Sequence, residues 1–358
     1  MASGLDGVVA AETILSHTDR TNGMVWVRGH DLPTLVALYG FEGTVALLWD
    51  GLAGDGLAGD GLTRAGMTAS LGQARLAAYA ALAGWLPNTA GRSLFEGVRM
   101  ALAAQHDEAD APALLGSLTV VVPALVRQAA GLAPVPPDPA LSTAADLLQM
   151  LHGTVPDPAK VAALDTYFTV MAESGLSASG FTARVVASTR ASLAASVLGA
   201  WCAFTGVLHG AAPGPTLDLL DAAEAATDLE SWLEARLRGG ERLMGFGHRV
   251  FAGNDPRAEA MRRSMQAMGP HAGRLAFADR LEKAVAVAIE RVKPGRTLPP
   301  NVEIMAALLL DAVDIPREAF TLVFAVGRSA GWLAHAMEQQ KTGRMIRPVS
   351  AYVGPPIG

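Results

Sequence analysis

Apolar residues recur at three- and four-residue intervals along most of this chain, the period of a helix with one buried face. Residues 32–49 are the first such segment, and 73–86, 94–105 and 113–130 follow with the same spacing. Residues 144–151 and the long stretch 164–204 are again helical in period. Residues 51–62 duplicate the unit Gly-Leu-Ala-Gly-Asp. Such glycine density cannot hold a helix, and two copies fall short of a calcium-binding array, so an expanded surface loop is expected. The run Ala133-Pro134-Val135-Pro136-Pro137-Asp138-Pro139 also stops the helical pattern, because proline lacks the N–H a helix needs. Strand signals are confined to short pieces, chiefly around Val25 to Val27. The expected fold class is mainly α.

At 358 residues and 51% hydrophobic content the chain can bury one large core or two domains. Its net charge of −6 offers no general basic surface, so nucleic acid is not an expected partner. Apolar runs near twenty residues are all interrupted by charge or glycine, and the start has no basic-then-apolar signal pattern. The expectation is a cytoplasmic protein without a membrane partner. The single cysteine, Cys202, excludes an internal disulfide and a multi-cysteine zinc site. Its neighbours Trp201 and Phe204 predict a buried, inert thiol. His17, His30, His106, His152, His271 and His335 show no His-x-x-x-His spacing, so no metal is expected, and His335 behind Trp332 reads as a packed structural histidine. No Walker loop is present, Gly245-Phe246-Gly247 lacks the third glycine of a dinucleotide fingerprint, and Ser174, Ser177 and Ser179 complete no Gly-x-Ser-x-Gly elbow.

The segment from Gly245 to Arg257 carries the most chemistry. Gly245 and Gly247 allow a tight turn and close backbone approach to a ligand, and Asp255-Pro256 is a turn or helix-start signal. His248 can polarise a ketone while Arg257, nine residues later, grips a carboxylate, which suits a small keto acid. The same residues also fit a loop whose His and Arg merely hydrogen-bond nearby carbonyls.

This segment resembles the signature of the citrate synthase family, and other matches follow in the family's order. Gly206-Val207-Leu208-His209-Gly210 resembles its loop with a second active-site His. Asn301-Val302-Glu303 resembles its Asn-Val-Asp, Gly327 to His335 its Arg-x-x-Gly-Trp-x-x-His, and Arg347-Pro348 with Tyr352-Val353-Gly354 its C-terminal segment. Gly4 to Thr13 and Arg28-Gly29-His30-Asp31 look like the family's opening.

The resemblance implies a large helical domain, residues 1–211 plus 314–358, with a small helical domain, 212–313, inserted and able to close over substrate. It implies an acyl-CoA cosubstrate, no permanently bound cofactor and condensation with a 2-oxo acid, acetyl-CoA and oxaloacetate being the leading pair. By position Glu303 is the base, His209 the enol-stabilising group and His248 the ketone polariser. Arg257, Arg328 and Arg347 clamp the acceptor's carboxylates, with Ser174 in the same pocket, and Arg347 acts across a homodimer. Gly245, Gly247, Arg249, Lys293 and Arg296 are the candidates for holding the CoA. Departures from the pattern matter. Ala172-Glu173-Ser174-Gly175-Leu176-Ser177-Ala178-Ser179-Gly180-Phe181 resembles the family's Ala-Asp-His-x-x-Asn-Ala-Ser-Thr-Phe, so Ser174 replaces a His that contacts oxaloacetate. Glu303 replaces Asp, Ala252 stands where many members carry Lys or Arg, and Pro213 where many have Asn. Two alternatives stay open: the same condensation on another 2-oxo acid or acyl-CoA, as in a 2-methylcitrate synthase, and a weakly active or non-catalytic paralogue serving as a binding or regulatory protein.

Overall fold

The computed structural model describes residues 5, 7–19, 21–53, 62–207, 209–210, 213–247, 255–269 and 272–355. His248, Arg249 and Ala252, and most of the duplicated glycine unit, lie outside the described residues.

A small antiparallel sheet opens the chain, with β1 (Ser16–Asp19), β2 (Met24–Val27) and β3 (His30–Asp31) in sequence order. The register pairs Ser16 with Val27 and Val27 with His30. Val25 and Val27 are buried, so alternate residues of β2 face the core. The predicted helix 32–49 is three pieces: α1 (Leu32–Thr34), capped by Asp31, a π-helical turn (Leu35–Tyr39) and α2 (Gly40–Trp49). The break falls at Gly40, which adopts φ +61 and where a Cβ would lie 2.9 Å from both Arg64 and Asp165 side-chain atoms, so the position requires glycine.

The helices that follow are α3 (Arg64–Trp85), α4 (Leu94–Ala103), α5 (Ala111–Ala129), α6 (Thr143–His152) and α7 (Pro158–Met171). Then come α8 (Ala178–Ser188), α9 (Leu193–Phe204), α10 (Pro213–Glu224), α11 (Leu229–Arg238), α12 (Pro256–Met268), α13 (Ala272–Val292), α14 (Val302–Ala312) and α15 (Phe320–Thr342). The helical period read through 164–204 is interrupted twice, after Met171 and after Ser188. The first loop still buries Ala172 and Glu173, whereas Thr189 and Arg190 in the second are exposed, and the caps Ser177 and Ser192 mark the restarts.

Helix α15 is the central rod, buried from Phe320 through Gln339 and packed on α2, α5, α7, α8 and α9. Helices α12 and α14 pack on each other and both rest on α7. Leu32–Trp49 and Ala111–Ala129 are long and apolar enough to cross a bilayer, but 61% and 78% of them are buried within the protein. The expectation for Cys202 fails: it is exposed, while Trp201 and Phe204 are buried. Those flanking positions occupy the inner face of α9, and the 100° advance per residue turns Cys202 outward.

Candidate active site

Two guanidiniums from different helices converge on one serine hydroxyl. Ser174 lies in the loop between α7 and α8, where its Oγ accepts from Arg257 at 3.3 Å and from Arg328 at 3.2 Å. Both arginines are buried and anchored from behind. Arg257, at the start of α12, donates Nε to Asp255 Oδ1 at 3.0 Å and a terminal nitrogen to Asp255 Oδ2 at 2.6 Å. Asp255 also caps α12 by accepting the Arg257 N–H, so one carboxylate starts the helix and orients its first arginine. Arg328, on α15, donates Nε to the Met171 carbonyl at 2.6 Å. Burial lowers the Arg328 pKa to about 10 despite the Glu173 charge nearby, with Arg257 pushing the same way. Both groups stay cationic at neutral pH, making a well for an anion.

Glu303 sits on the first turn of α14. Asn301 caps that helix, accepting the Glu303 N–H at 2.9 Å, and its own N–H donates to the Gly245 carbonyl at 2.9 Å. Asn301 Nδ2 donates to the Gly247 carbonyl, and Gly247 N–H to the Pro299 carbonyl. The glycine turn is thereby bolted to the helix that carries Glu303. Gly245 is required there: at φ +82, an added Cβ would sit 2.6 Å from Ile304 and 2.8 Å from Thr216. Burial raises the Glu303 pKa to about 7 against the pull of Arg257 and Arg328. Among the described residues its buried Oε2 has no hydrogen-bond partner, nor has the Tyr167 hydroxyl, whose ionisation Glu303 further disfavours.

His209 is held as a neutral base. Its Nε2 lies 2.8 Å from Ser179 Oγ and accepts the Ser179 N–H at 3.3 Å, while Trp332 Nε1 donates to the same Oγ at 2.9 Å. With Nε2 accepting, the ring proton resides on Nδ1. Burial, then Arg328, lowers the pKa to about 4. The arrangement can therefore offer a neutral N–H donor, a carboxylate with a pKa near neutrality and paired cations for an anionic ligand.

Of the sequence-predicted residues, the fold gathers Ser174, Arg257, Arg328, Glu303 and His209, the last two through Arg328, whose charge both feel. Arg347 is not among them: it is exposed on the tail after α15 and makes no hydrogen bond or ion pair with the described residues. Lys293 and Arg296 are exposed in the turn after α13, and no hydrogen bond or ion pair joins them to the cluster. Among the described residues, no three His, Cys, Asp or Glu groups could share a metal ion. Sequence reading assigned no site role to Asp255, Ser179 or Trp332. Asp255 was visible as a helix start, and Trp332 follows Arg328 by four residues on one helix face, but nothing in the sequence linked Ser179 to a histidine thirty residues away.

The family profile described as citrate synthase, C-terminal domain, matches residues 4–349. A Mycobacterium tuberculosis protein with a provisional citrate synthase name is 37% identical over 98% of this chain and 92% of its own. The 2-methylcitrate synthase of the same organism is 32% identical over 98% of this chain and 90% of its own. The solved citrate synthase of Thermotoga maritima superposes with a TM-score of 0.84 at 28% identity, covering 99% of this chain and 96% of that one.

Proposed function

The chain belongs to the citrate synthase family, and from that premise we propose that it condenses an acyl-CoA with oxaloacetate and releases free CoA. The observation that carries this reading is the Glu303 carboxyl, with a pKa of about 7 and one buried oxygen without a partner among the described residues, beside two buried guanidiniums. In its ionised form Glu303 takes a proton from the carbon next to the thioester carbonyl. The C–H electron pair forms the enol carbon–carbon bond, and His209 Nδ1–H supports the thioester oxygen. The enol carbon then attacks the ketone of the acceptor, whose carboxylates Arg257 and Arg328 hold. The ketone oxygen takes a proton from His248, and water cleaves the thioester.

Acetyl-CoA is the donor we favour. Propionyl-CoA is the second reading, favoured by the 32% identity to a 2-methylcitrate synthase. Measuring thiol release from acetyl- and propionyl-CoA with oxaloacetate, pyruvate and 2-oxoglutarate tests both. We expect oxaloacetate to support release, and none with any pair would overturn the proposal in favour of a non-catalytic binding protein.

The same reading includes a cytoplasmic homodimer in which 212–313 closes over bound substrate, Arg347 enters the partner's site, and Arg249, Lys293 and Arg296 serve the CoA phosphates. Its support is the tail, which is tied to α8 where the Ile346 N–H donates to Ser188 Oγ at 3.0 Å yet keeps Met345 58%, Val349 99% and Val353 90% exposed. Apolar residues on an arm of that kind suit burial against a second copy.

A further inference from the structure

Glu173 is buried next to Ser174, yet no step above uses it. Its Oε1 accepts the Ser16 hydroxyl at 2.9 Å and the Gly175 N–H at 2.7 Å, and Ser16 Oγ shares that N–H at 3.1 Å. Its Oε2 lies 3.3 Å from His335 Nε2, outside hydrogen-bond alignment. Arg184 Nε donates to His335 Nδ1 at 2.9 Å, which leaves the ring proton on the nitrogen that faces Glu173. Arg184 also pairs with Glu338, which accepts from Thr13 Oγ1 and from the Ile14 N–H, each at 2.8 Å. The contacts close a ring from residues 13–14 through Glu338, Arg184, His335 and Glu173 to Ser16. Helix α15 presses on it: a Cβ on Gly331 would sit 2.5 Å from Glu173 Oε2 and 2.4 Å from the Ala172 carbonyl.

A buried carboxylate with its donors in place is a stiff anchor, because breaking any one contact leaves a charge poorly solvated. Glu173 is bonded to Ser174 covalently and to the Gly175 N–H by hydrogen bond, so the backbone on both sides of Ser174 is pinned. Ser174 is the hydroxyl on which Arg257 and Arg328 meet.

We propose that Glu173 is a positioning residue for the acceptor pocket, completed by Ser16, so that the N-terminal segment 13–16 is a working part of the site. The inference rests on Arg257 and Arg328 being the acceptor's clamp. The full-length variants Ser16→Ala, Ser16→Thr and Glu173→Gln test it by thiol release from acetyl-CoA with oxaloacetate varied, by calorimetric binding of oxaloacetate and by thermal melting. Ser16→Ala and Glu173→Gln are expected to raise the oxaloacetate KM and Kd by about tenfold, the scale of one hydrogen bond to a charged group. The acetyl-CoA KM should stay within about twofold, and Ser16→Thr should behave as wild type, since its hydroxyl is retained. Unchanged oxaloacetate binding in both variants overturns the proposal. So does an equal rise of both Michaelis constants in step with lost thermal stability, the mark of a purely structural role. Weakened oxaloacetate binding in the variants of a protein whose wild type releases no thiol would uphold the positioning role and sink the condensation.

Discussion

At Glu303 and His209 the same desolvation works in opposite directions. Burial disfavours whichever form carries charge, so it lifts the carboxyl pKa to about 7 and drops the imidazole pKa to about 4. The base therefore gains proton affinity while the donor stays neutral. Because Glu303 must be ionised to accept a proton, kcat/KM for the acyl-CoA should climb as pH rises through about 7 and level off above it. A profile flat from pH 5 to 9 would contradict the assignment. Glu303→Gln keeps the shape but cannot take a proton at neutral pH, so thiol release should fall by about 100-fold or more while thioester binding is kept. At Ser174 the two guanidiniums share one hydroxyl, so the side chain at this position sits where both arginines would meet an anionic ligand. Ser174→His should change acceptor preference across the 2-oxo acid panel, and an unaltered ranking would show that Ser174 does not set specificity.

Helix starts do much of the positioning one level up. Asp255 begins α12 and aims Arg257, Asn301 begins α14 and places Glu303, and Ser177 begins α8 two residues before Ser179. Each cap satisfies an otherwise orphaned N–H and at the same time places a working side chain on the first turn. Asp255→Asn can still cap, whereas Asp255→Ala loses both the cap and the carboxylate facing a buried guanidinium. The alanine variant should lose about 3 kcal/mol of stability and the asparagine variant clearly less, by chemical denaturation. Both should raise the acceptor KM. On α7, where Asp165 accepts the Phe41 N–H at the start of α2, burial and then the Glu42 charge lift its pKa to about 6 from 3.8. Between those values the native state holds more protons than the unfolded one, so this group's stabilising contribution is present below pH 3.8 and lost as pH rises through about 6. Asp165→Asn should flatten that part of the stability curve and raise Tm more at pH 7 than at pH 4. Equal shifts at the two pH values would count against it.

At the scale of the whole molecule, Arg347 lies away from the other site residues of its own chain, and the role expected of it is in the partner's site. If it serves the partner's site, mixing Arg347→Ala with Glu303→Gln subunits rebuilds one intact site in each hybrid dimer. Half of randomly paired dimers are hybrids and half of their sites are whole, so about one quarter of wild-type activity should return. No recovery after verified subunit exchange would place Arg347 outside the site.

Helical periodicity, the glycine turn and the order of the motifs were legible in the chain because they depend on local spacing: the 3.6-residue period, positive φ at Gly245 and Gly247, and Arg328, Trp332 and His335 on one face of α15. Those features specified the family and the helical class, and they marked Glu303, His209, Arg257 and Arg328 as candidates for the site. What the chain did not disclose depends on contacts between residues far apart in sequence. The sharing of Ser174 by two arginines spans separations of 83 and 154 residues, and the Ser16–Glu173 bond spans 157. The pKa values of Glu303 and His209 follow from how completely other helices exclude water from them, and only packing decides that. Cys202 makes the same point at the surface, since its apolar neighbours could not say which way a single helical residue would turn once α9 had docked.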